Sequence, residues 1–335
     1  MDGAILPADG RLAAPLADVR DLTVRFVTPD ATVHAVNGVT FSVQAGEVLC
    51  ILGESGSGKS VTLRALMRLL PPRRTRIEGV LRVDGQDVLG MNDRALRNMR
   101  GGTVSMIFQE PMTALDPVYT IGRQIIETIR AHKGGSTAAA RARALELLEL
   151  VKIPSAAGRL DSYPHELSGG LRQRAMIAMA LSCGPKLLLA DEPTTALDAT
   201  VQIQVLILLR RLQAELGMGT IFVTHDLGVA AEIADRVAVM YAGRIVEEGP
   251  VADVLAHPRH PYTQGLLSST VHGQDRAHDI AAIPGSPPDL RRLPPGCSFA
   301  PRCAYAIGAC REAVPLPVTP APGRMARCIR VEEFA

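Results

Sequence analysis

The run Gly53-Glu54-Ser55-Gly56-Ser57-Gly58-Lys59-Ser60 has the spacing GxxxxGK[ST], and its residue types suit the binding of polyphosphate. Glycines 53, 56 and 58 let backbone N–H groups converge on phosphate oxygens without a Cβ in the way. Lys59 adds a full positive charge to the partial charge of a helix N-terminus. Ser60 offers a hydroxyl to Mg²⁺, and Val61 carries the loop into its helix. Further along, Leu187-Leu188-Leu189-Ala190 runs into two acids, Asp191 and Glu192. At the C-terminal end of a strand, where α/β sheets bind ligands, Asp191 can hold the Mg²⁺ shell while Glu192 polarises an attacking water. Between these elements, Ser168-Gly169-Gly170 forms a second glycine turn opening a helix, with its own N–H donors for phosphate.

These residues need a scaffold of strand, loop and helix. The all-apolar stretch 48–52 suits a buried parallel strand, and residues 61–70 can follow as a helix. Alternation over 19–26 and 39–43 predicts antiparallel strands, a small β-subdomain leading into the loop. Helical periodicity then covers 121–153, in Ile121, Ile125, Ile126 and Ile129 and in Ala144, Leu147, Leu148 and Val151, broken at Gly134-Gly135-Ser136. Apolar strands return at 187–190, 221–223 and 237–240, spaced by helical stretches such as 201–216, which implies a parallel α/β sheet split by a helical insertion. From Pro258 onward proline and glycine thicken, and the sequence reads as a separate, loop-rich region.

The 335 residues, 47% hydrophobic and 21% charged, are enough for one large core plus a smaller unit. A net charge of +2, 3% aromatic residues and no Trp give neither a basic field nor stacking platforms, so nucleic acid is not the expected partner. Arg73, Arg74 and Arg76 follow Pro71-Pro72 and read as a solvated loop. The first residues carry Asp2 and Asp9 and no apolar secretion core, so the expected location is the cytoplasm. No stretch reaches the roughly 18 apolar residues of a membrane span, and membrane association would go through a partner. Cys50 and Cys183 sit in apolar, core-like segments. Cys297, Cys303, Cys310 and Cys328 crowd into the tail, where metal explains four thiols better than disulfides do, although the CxxC pairs of zinc ribbons are missing.

Taken together, Leu167-Ser168-Gly169-Gly170-Leu171, the phosphate loop and the Asp191-Glu192 strand end resemble the ATP-binding subunits of ABC transporters, over about residues 18–256. The resemblance implies an α/β P-loop cassette, a parallel-sheet core with a β-subdomain and a helical subdomain over about 111–180. A tail at 1–17 precedes it and an extension at 257–335 follows. It further implies that Ser168, Gly169 and Gly170 form the signature motif, with Leu171 replacing the usual glutamine, and complete the site of a facing protomer. Gln109 corresponds to the Q-loop residue reaching Mg²⁺ and water, and Ala196-Leu197-Asp198 to the D-loop crossing the dimer interface. His225 corresponds to the switch histidine at the γ-phosphate. Phe26 falls where a ring stacks the adenine, with His34 as the alternative. Catalysis is thereby assigned to Glu192, His225 and Gln109, and Mg²⁺ to Ser60, Gln109 and Asp191.

Past the cassette, His260-Pro261-Tyr262-Thr263-Gln264-Gly265-Leu266-Leu267 and the Pro295–Cys303 segment resemble the C-terminal extension of oligopeptide and dipeptide importer ATPases. That resemblance favours a [4Fe–4S] cluster on Cys297, Cys303, Cys310 and Cys328, with zinc or unliganded thiols as alternatives. The implied function is ATP hydrolysis driving peptide import from the cytoplasmic face of the membrane. The implied partners are a homologous ATPase subunit in a heterodimer, two membrane permease subunits and an extracytoplasmic peptide-binding protein. Nickel or another small solute is an alternative cargo. A non-transport ABC ATPase acting on DNA or the ribosome is a rival, but such proteins carry long coiled coils or two cassettes per chain. A silent cassette would lack Glu192 or His225, and both are present.

Overall fold

The structure, a computed structural model, describes residues 14–110, 114–195, 197–269 and 282–334. The chain begins with β1 (Ala17–Val27), β2 (Thr32–Val43), β3 (Val48–Leu52), α1 (Lys59–Leu66), β4 (Thr75–Val83), β5 (Gln86–Asp87), α2 (Asp93–Gly102) and β6 (Val104–Ile107). Helices α3 (Ile121–Lys133), α4 (Thr137–Leu150), α5 (Ala156–Arg159) and α6 (Gly169–Leu181) come next. Then follow β7 (Leu187–Asp191), α7 (Ala199–Leu216), β8 (Gly219–Thr224), α8 (Leu227–Ile233), β9 (Arg236–Tyr241), β10 (Arg244–Pro250), α9 (Val251–Ala256) and α10 (Pro261–Ser268). Two short strands, β11 (Val318–Ala321) and β12 (Arg324–Ala326), close the described fold.

Strands β2-β1-β4-β5 make an antiparallel sheet, and β11-β12-β10-β9-β3-β8-β7-β6 make the main sheet. Within the latter, β9, β3, β8, β7 and β6 run parallel, with β3 central between β8 and β9. Period-two geometry explains why β3 is apolar at every position. Val48, Cys50 and Leu52 face one core, shared with the insertion helices, while Leu49 and Ile51 face a second core shared with the β-subdomain and α1. Burying one such side chain stabilises by about 1.5–3 kcal/mol, so five in a row fix the strand at the centre of the molecule.

Several elements differ from the sequence expectations, each for a local reason. Helix α1 ends at Leu66 because Arg68 adopts a left-handed backbone (φ 47°) that no helix can include. The arginine cluster read as a loop straddles a strand start, with Arg76 in β4, opposite Arg25 of β1. In the insertion, Thr120 and Ser136 accept hydrogen bonds from Arg123 N–H and Ala139 N–H and so cap α3 and α4; each cap is worth about 1 kcal/mol.

The tail is not separate from the main sheet. Antiparallel pairing places Glu247 of β10 opposite Ala326 of β12, which covers an edge that β10 would otherwise expose. Glu247 is fully buried there and accepts a hydrogen bond from Arg324 Nη2 at 2.8 Å. Tyr241 of β9, Tyr262 of α10 and Phe299 pack ring against ring, with centroids 4.6 to 5.4 Å apart. Among the described residues no helix is long and apolar enough to cross a membrane.

Candidate nucleotide-binding site

Strand β3 delivers the chain into the loop 53–58, and α1 leaves from it. At two positions the loop is pressed so tightly on its neighbours that a side chain is excluded. A Cβ on Gly53 would lie 2.2 Å from Met240 O, and one on Gly58 would lie 2.4 Å from Ala35 O. Gly58 also has φ 107°, open to glycine alone at low energy. Lys59 is 4% exposed and folds back over the loop, its Nζ donating to Gly53 O (2.7 Å) and Glu54 O (2.9 Å). Burial lowers its pKa, opposed by the charges of Glu192 and Asp191.

The end of β7 brings the two acids to the same place. Ser60 Oγ donates to Asp191 Oδ1 at 2.6 Å, while Asp191 Oδ2 is buried and makes no hydrogen bond. Burial pushes the Asp191 pKa up, with the Ser60 hydrogen bond opposing it. A hydroxyl beside a carboxylate with one unpartnered oxygen is a hard-oxygen set that suits Mg²⁺, which takes few protein ligands and completes its shell with phosphate and water. Ser60 and Asp191 therefore fit the ion.

Glu192 is held in a left-handed conformation (φ 45°), its N–H donating to Val223 O of β8 at 3.0 Å. Such strain in a non-glycine residue costs about 1–3 kcal/mol and persists only where the surroundings impose it. Its Oε2 gathers three partners: Gln109 Nε2 at 3.3 Å, Thr195 Oγ1 at 3.1 Å and His225 Nδ1 at 3.2 Å. Lys59 Nζ lies 4.0 Å from the other oxygen. Thus Lys59, Ser60, Gln109, Asp191, Glu192 and His225 come from the ends of β3, β6, β7 and β8 to one sheet edge. Thr195 was not singled out from the sequence, although its place three residues past Glu192 in a turn is a usable signal. Glu192, Gln109 and His225 also border a cavity of about 580 Å³, lined as well by Glu54 and Ser55 of the loop and by Leu266, Ser269, Ala282 and Ile283 of the extension.

The second glycine turn is grouped elsewhere. Ser168 accepts from Leu171 N–H at 3.4 Å and caps α6. Gly169 faces Leu197, and a Cβ on Gly170 would come within 2.6 Å of Val201 in α7. Asp198 caps α7, accepting from Val201 N–H at 3.0 Å. Gly169 and Gly170 therefore pack beside the Leu197–Val201 stretch that Asp198 caps; Ala196 lies outside the described residues, as does Pro111 after Gln109. Phe26 is half-buried in β1 and packs on the second core, while His34 N–H donates to Leu290 O at 2.9 Å.

Residues 36–195 match the family described as ABC transporter, and residues 246–310 match the oligopeptide/dipeptide transporter C-terminal region. A putative peptide import ATP-binding protein of Brucella melitensis biotype 1 is 52% identical over 333 residues, covering 96% of this chain and 98% of that protein. The chain belongs to the ATP-binding proteins of the ABC transporter family. The oligopeptide transport ATP-binding protein OppD of Salmonella typhimurium is 50% identical over 320 residues, 95% of each chain. Among solved structures, the post-hydrolysis dimer of the ATP-binding cassette MJ0796 with ADP and Pi superposes with a TM-score of 0.63 at 29% identity. It covers 70% of this chain and 98% of that one. The α/β cassette fold expected from the motifs is thereby established.

One expectation for this ABC protein is corrected. Cys297, Cys303, Cys310 and Cys328 do converge, on a cavity of about 20 Å³ walled by Phe299, Pro315 and Ile329, which leaves room for about one water. Yet among the described residues no group of three or more His, Cys, Asp or Glu side chains is placed to hold a metal ion. Burial raises the pKa of Cys297 and Cys303 and pushes Cys328 up to about 11. The [4Fe–4S] assignment is not supported. Cys50 and Cys183 are buried and free, with Cys50 pushed up to about 12 by burial.

Proposed function

We propose that this ABC cassette hydrolyses ATP to drive peptide import, and the observation that carries the proposal is the convergence on Glu192. A carboxylate that accepts from Gln109, Thr195 and His225, beside Lys59 and the Asp191–Ser60 pair, is oriented toward the space where a γ-phosphate and its attacking water would sit. Glu192 takes the role of polarising that water. Gln109 and His225 orient the carboxylate and contact the terminal phosphate, and Gly53, Ser55, Gly56, Ser57, Gly58, Lys59, Ser60 and Val61 cradle the phosphates. Ser60 and Asp191, with Gln109, would hold Mg²⁺, which when bound neutralises charge on the phosphate oxygens. Phe26 is proposed to stack the adenine. Ser168, Gly169, Gly170 and Asp198, grouped along the Leu197–Val201 stretch, are proposed to complete the site of a facing cassette, a homologous ATPase subunit in a heterodimer. Two membrane permease subunits and an extracytoplasmic peptide-binding protein complete the assembly, with this chain at the cytoplasmic face.

Peptide cargo is supported by the match of residues 246–310 and by relatives named for peptide import. The test is reconstitution of the chain with its homologous ATPase subunit, permease pair and binding protein in proteoliposomes. ATP hydrolysis per chain is expected to rise about tenfold or more over the isolated protein, because tethering raises the effective concentration of the opposing surface. Labelled peptide should enter only with ATP. Full hydrolysis by a strictly monomeric preparation would overturn the two-cassette reading, and uptake of nickel but not peptide would overturn the cargo.

A further inference from the structure

Glu54 follows Gly53 at the start of the phosphate loop, so a carboxylate stands beside the place where three phosphates would lie. An unpaired negative charge there opposes the binding of ATP. In the fold, Arg302 of the C-terminal extension meets it with a bidentate pair, Nη1 donating to Oε2 at 2.8 Å and Nη2 to Oε1 at 3.1 Å. The Arg302 side chain is only 5% exposed. It is anchored by Nε donating to Pro284 O at 2.9 Å and by the rings of Tyr241 and Phe299, whose centroids lie 5.9 and 6.0 Å from its guanidinium carbon. From α10, the fully buried Tyr262 accepts the Glu54 N–H on its hydroxyl oxygen at 2.9 Å. The side chain and backbone N–H of Glu54 are thus engaged by the extension, while its carbonyl oxygen stays with the loop, accepting from Lys59 Nζ.

Given that ATP binds at this loop, we infer that Arg302 is a positioning residue for it: the extension neutralises Glu54 and holds it clear of the phosphates, so that the tail acts as a built-in component of the nucleotide site. The pairing spans 248 residues of sequence, and it makes the first turn of the phosphate loop dependent on the tail. The same extension contributes Leu266, Ser269, Ala282 and Ile283 to the lining of the cavity that Glu54 and Glu192 border.

The experiment measures MgATP affinity of the full-length chain by displacement of a fluorescent ATP analogue, with circular dichroism on every variant. Arg302→Met keeps an apolar stem against the rings but leaves Glu54 unpaired, and Kd is expected to rise about tenfold, more at low salt than at high. Adding Glu54→Ala to Arg302→Met should bring Kd back to within about threefold of the unmodified protein, because the repelling charge is gone. Arg302→Lys, which keeps the charge but not the fork, should also stay within about threefold. Unchanged affinity in Arg302→Met would overturn the inference. So would equal weakening in Arg302→Met, the double variant and Arg302→Lys, which would mark a packing role alone. An unmodified chain that fails to bind MgATP would instead refute the nucleotide reading itself.

Discussion

Replacing Glu192 by Gln separates chemistry from binding at this site. The amide is isosteric and can still present an oxygen to Gln109, Thr195 and His225, which now contact Oε2 at 3.1 to 3.3 Å. What it loses is the negative charge. A positioned general base contributes about 10²- to 10⁴-fold to rate, so the barrier should rise by about 3 to 5 kcal/mol. The effect on ATP affinity has the opposite sign. Lys59 Nζ, 4.0 Å from Glu192 Oε1, loses a partner only in the nucleotide-free state, where phosphates are not there to replace it. Those phosphates in turn lose a repelling neighbour, and one unit charge at about 4 Å is worth about 4 kcal/mol at an effective dielectric of 20. Kd for MgATP should therefore be unchanged or lower, while steady-state phosphate release falls by about 10²-fold or more. Gel filtration with ATP should show a stable dimer with the facing cassette. Phosphate release within about tenfold of the unmodified rate would remove Glu192 from its assigned role.

Two further predictions concern the joint between cassette and tail. Arg324→Met removes the cationic partner of the fully buried Glu247 carboxylate, which keeps the backbone N–H groups of Arg259 and His260 as donors (2.7 and 2.9 Å), and should lower unfolding free energy by about 3–5 kcal/mol in urea titrations; a loss under about 1 kcal/mol would contradict it. His260 is held down to about 3 by burial, with Nδ1 accepting from Tyr262 N–H at 3.0 Å. Below the ordinary value near 6.5 the unfolded chain takes up a proton that the native imidazole refuses, so this residue removes about 1.4 kcal/mol of stability per pH unit between about 6 and 3. His260→Asn, whose Oδ1 can accept the same N–H, should flatten that slope, and an unaltered pH dependence of stability would rule the residue out as its source.

Much of the site was legible because phosphate chemistry is written in contiguous runs. Gly53 to Ser60 must be adjacent to wrap one ligand, and Asp191-Glu192 must end an apolar strand, so spacing alone located them. The insertion helices were legible from Ile121 to Val151 because one face is buried at helical period. Long-range partners leave no such pattern. Arg302 reads as one more arginine in a proline-rich tail, and nothing local announces that Glu54 is its partner. Strand β12 was missed because three residues carry no periodicity; only the open edge of β10 gives them a role. The cysteine cluster misled for the converse reason. Four residues suited to a metal by type line one small cavity with Phe299, Pro315 and Ile329, yet among the described residues no three metal-ligating side chains are placed to hold an ion.

The position of β3 has a consequence for how the chain comes into being. Val48 to Leu52, buried on both faces, pairs with Thr220–Thr224 on one side and Arg236–Val239 on the other. During synthesis the ribosome releases the N-terminal strand long before either neighbour exists. An apolar strand with two open edges is a template for pairing with other chains, so the nascent polypeptide passes through its most association-prone stage before about residue 240 emerges. The insertion helices, built from nearby contacts, can form in that interval, whereas the central ladder must wait for the slower closure of a very long loop. Shortening the protein at the end of the insertion would consequently yield no independent half, only an unpaired strand.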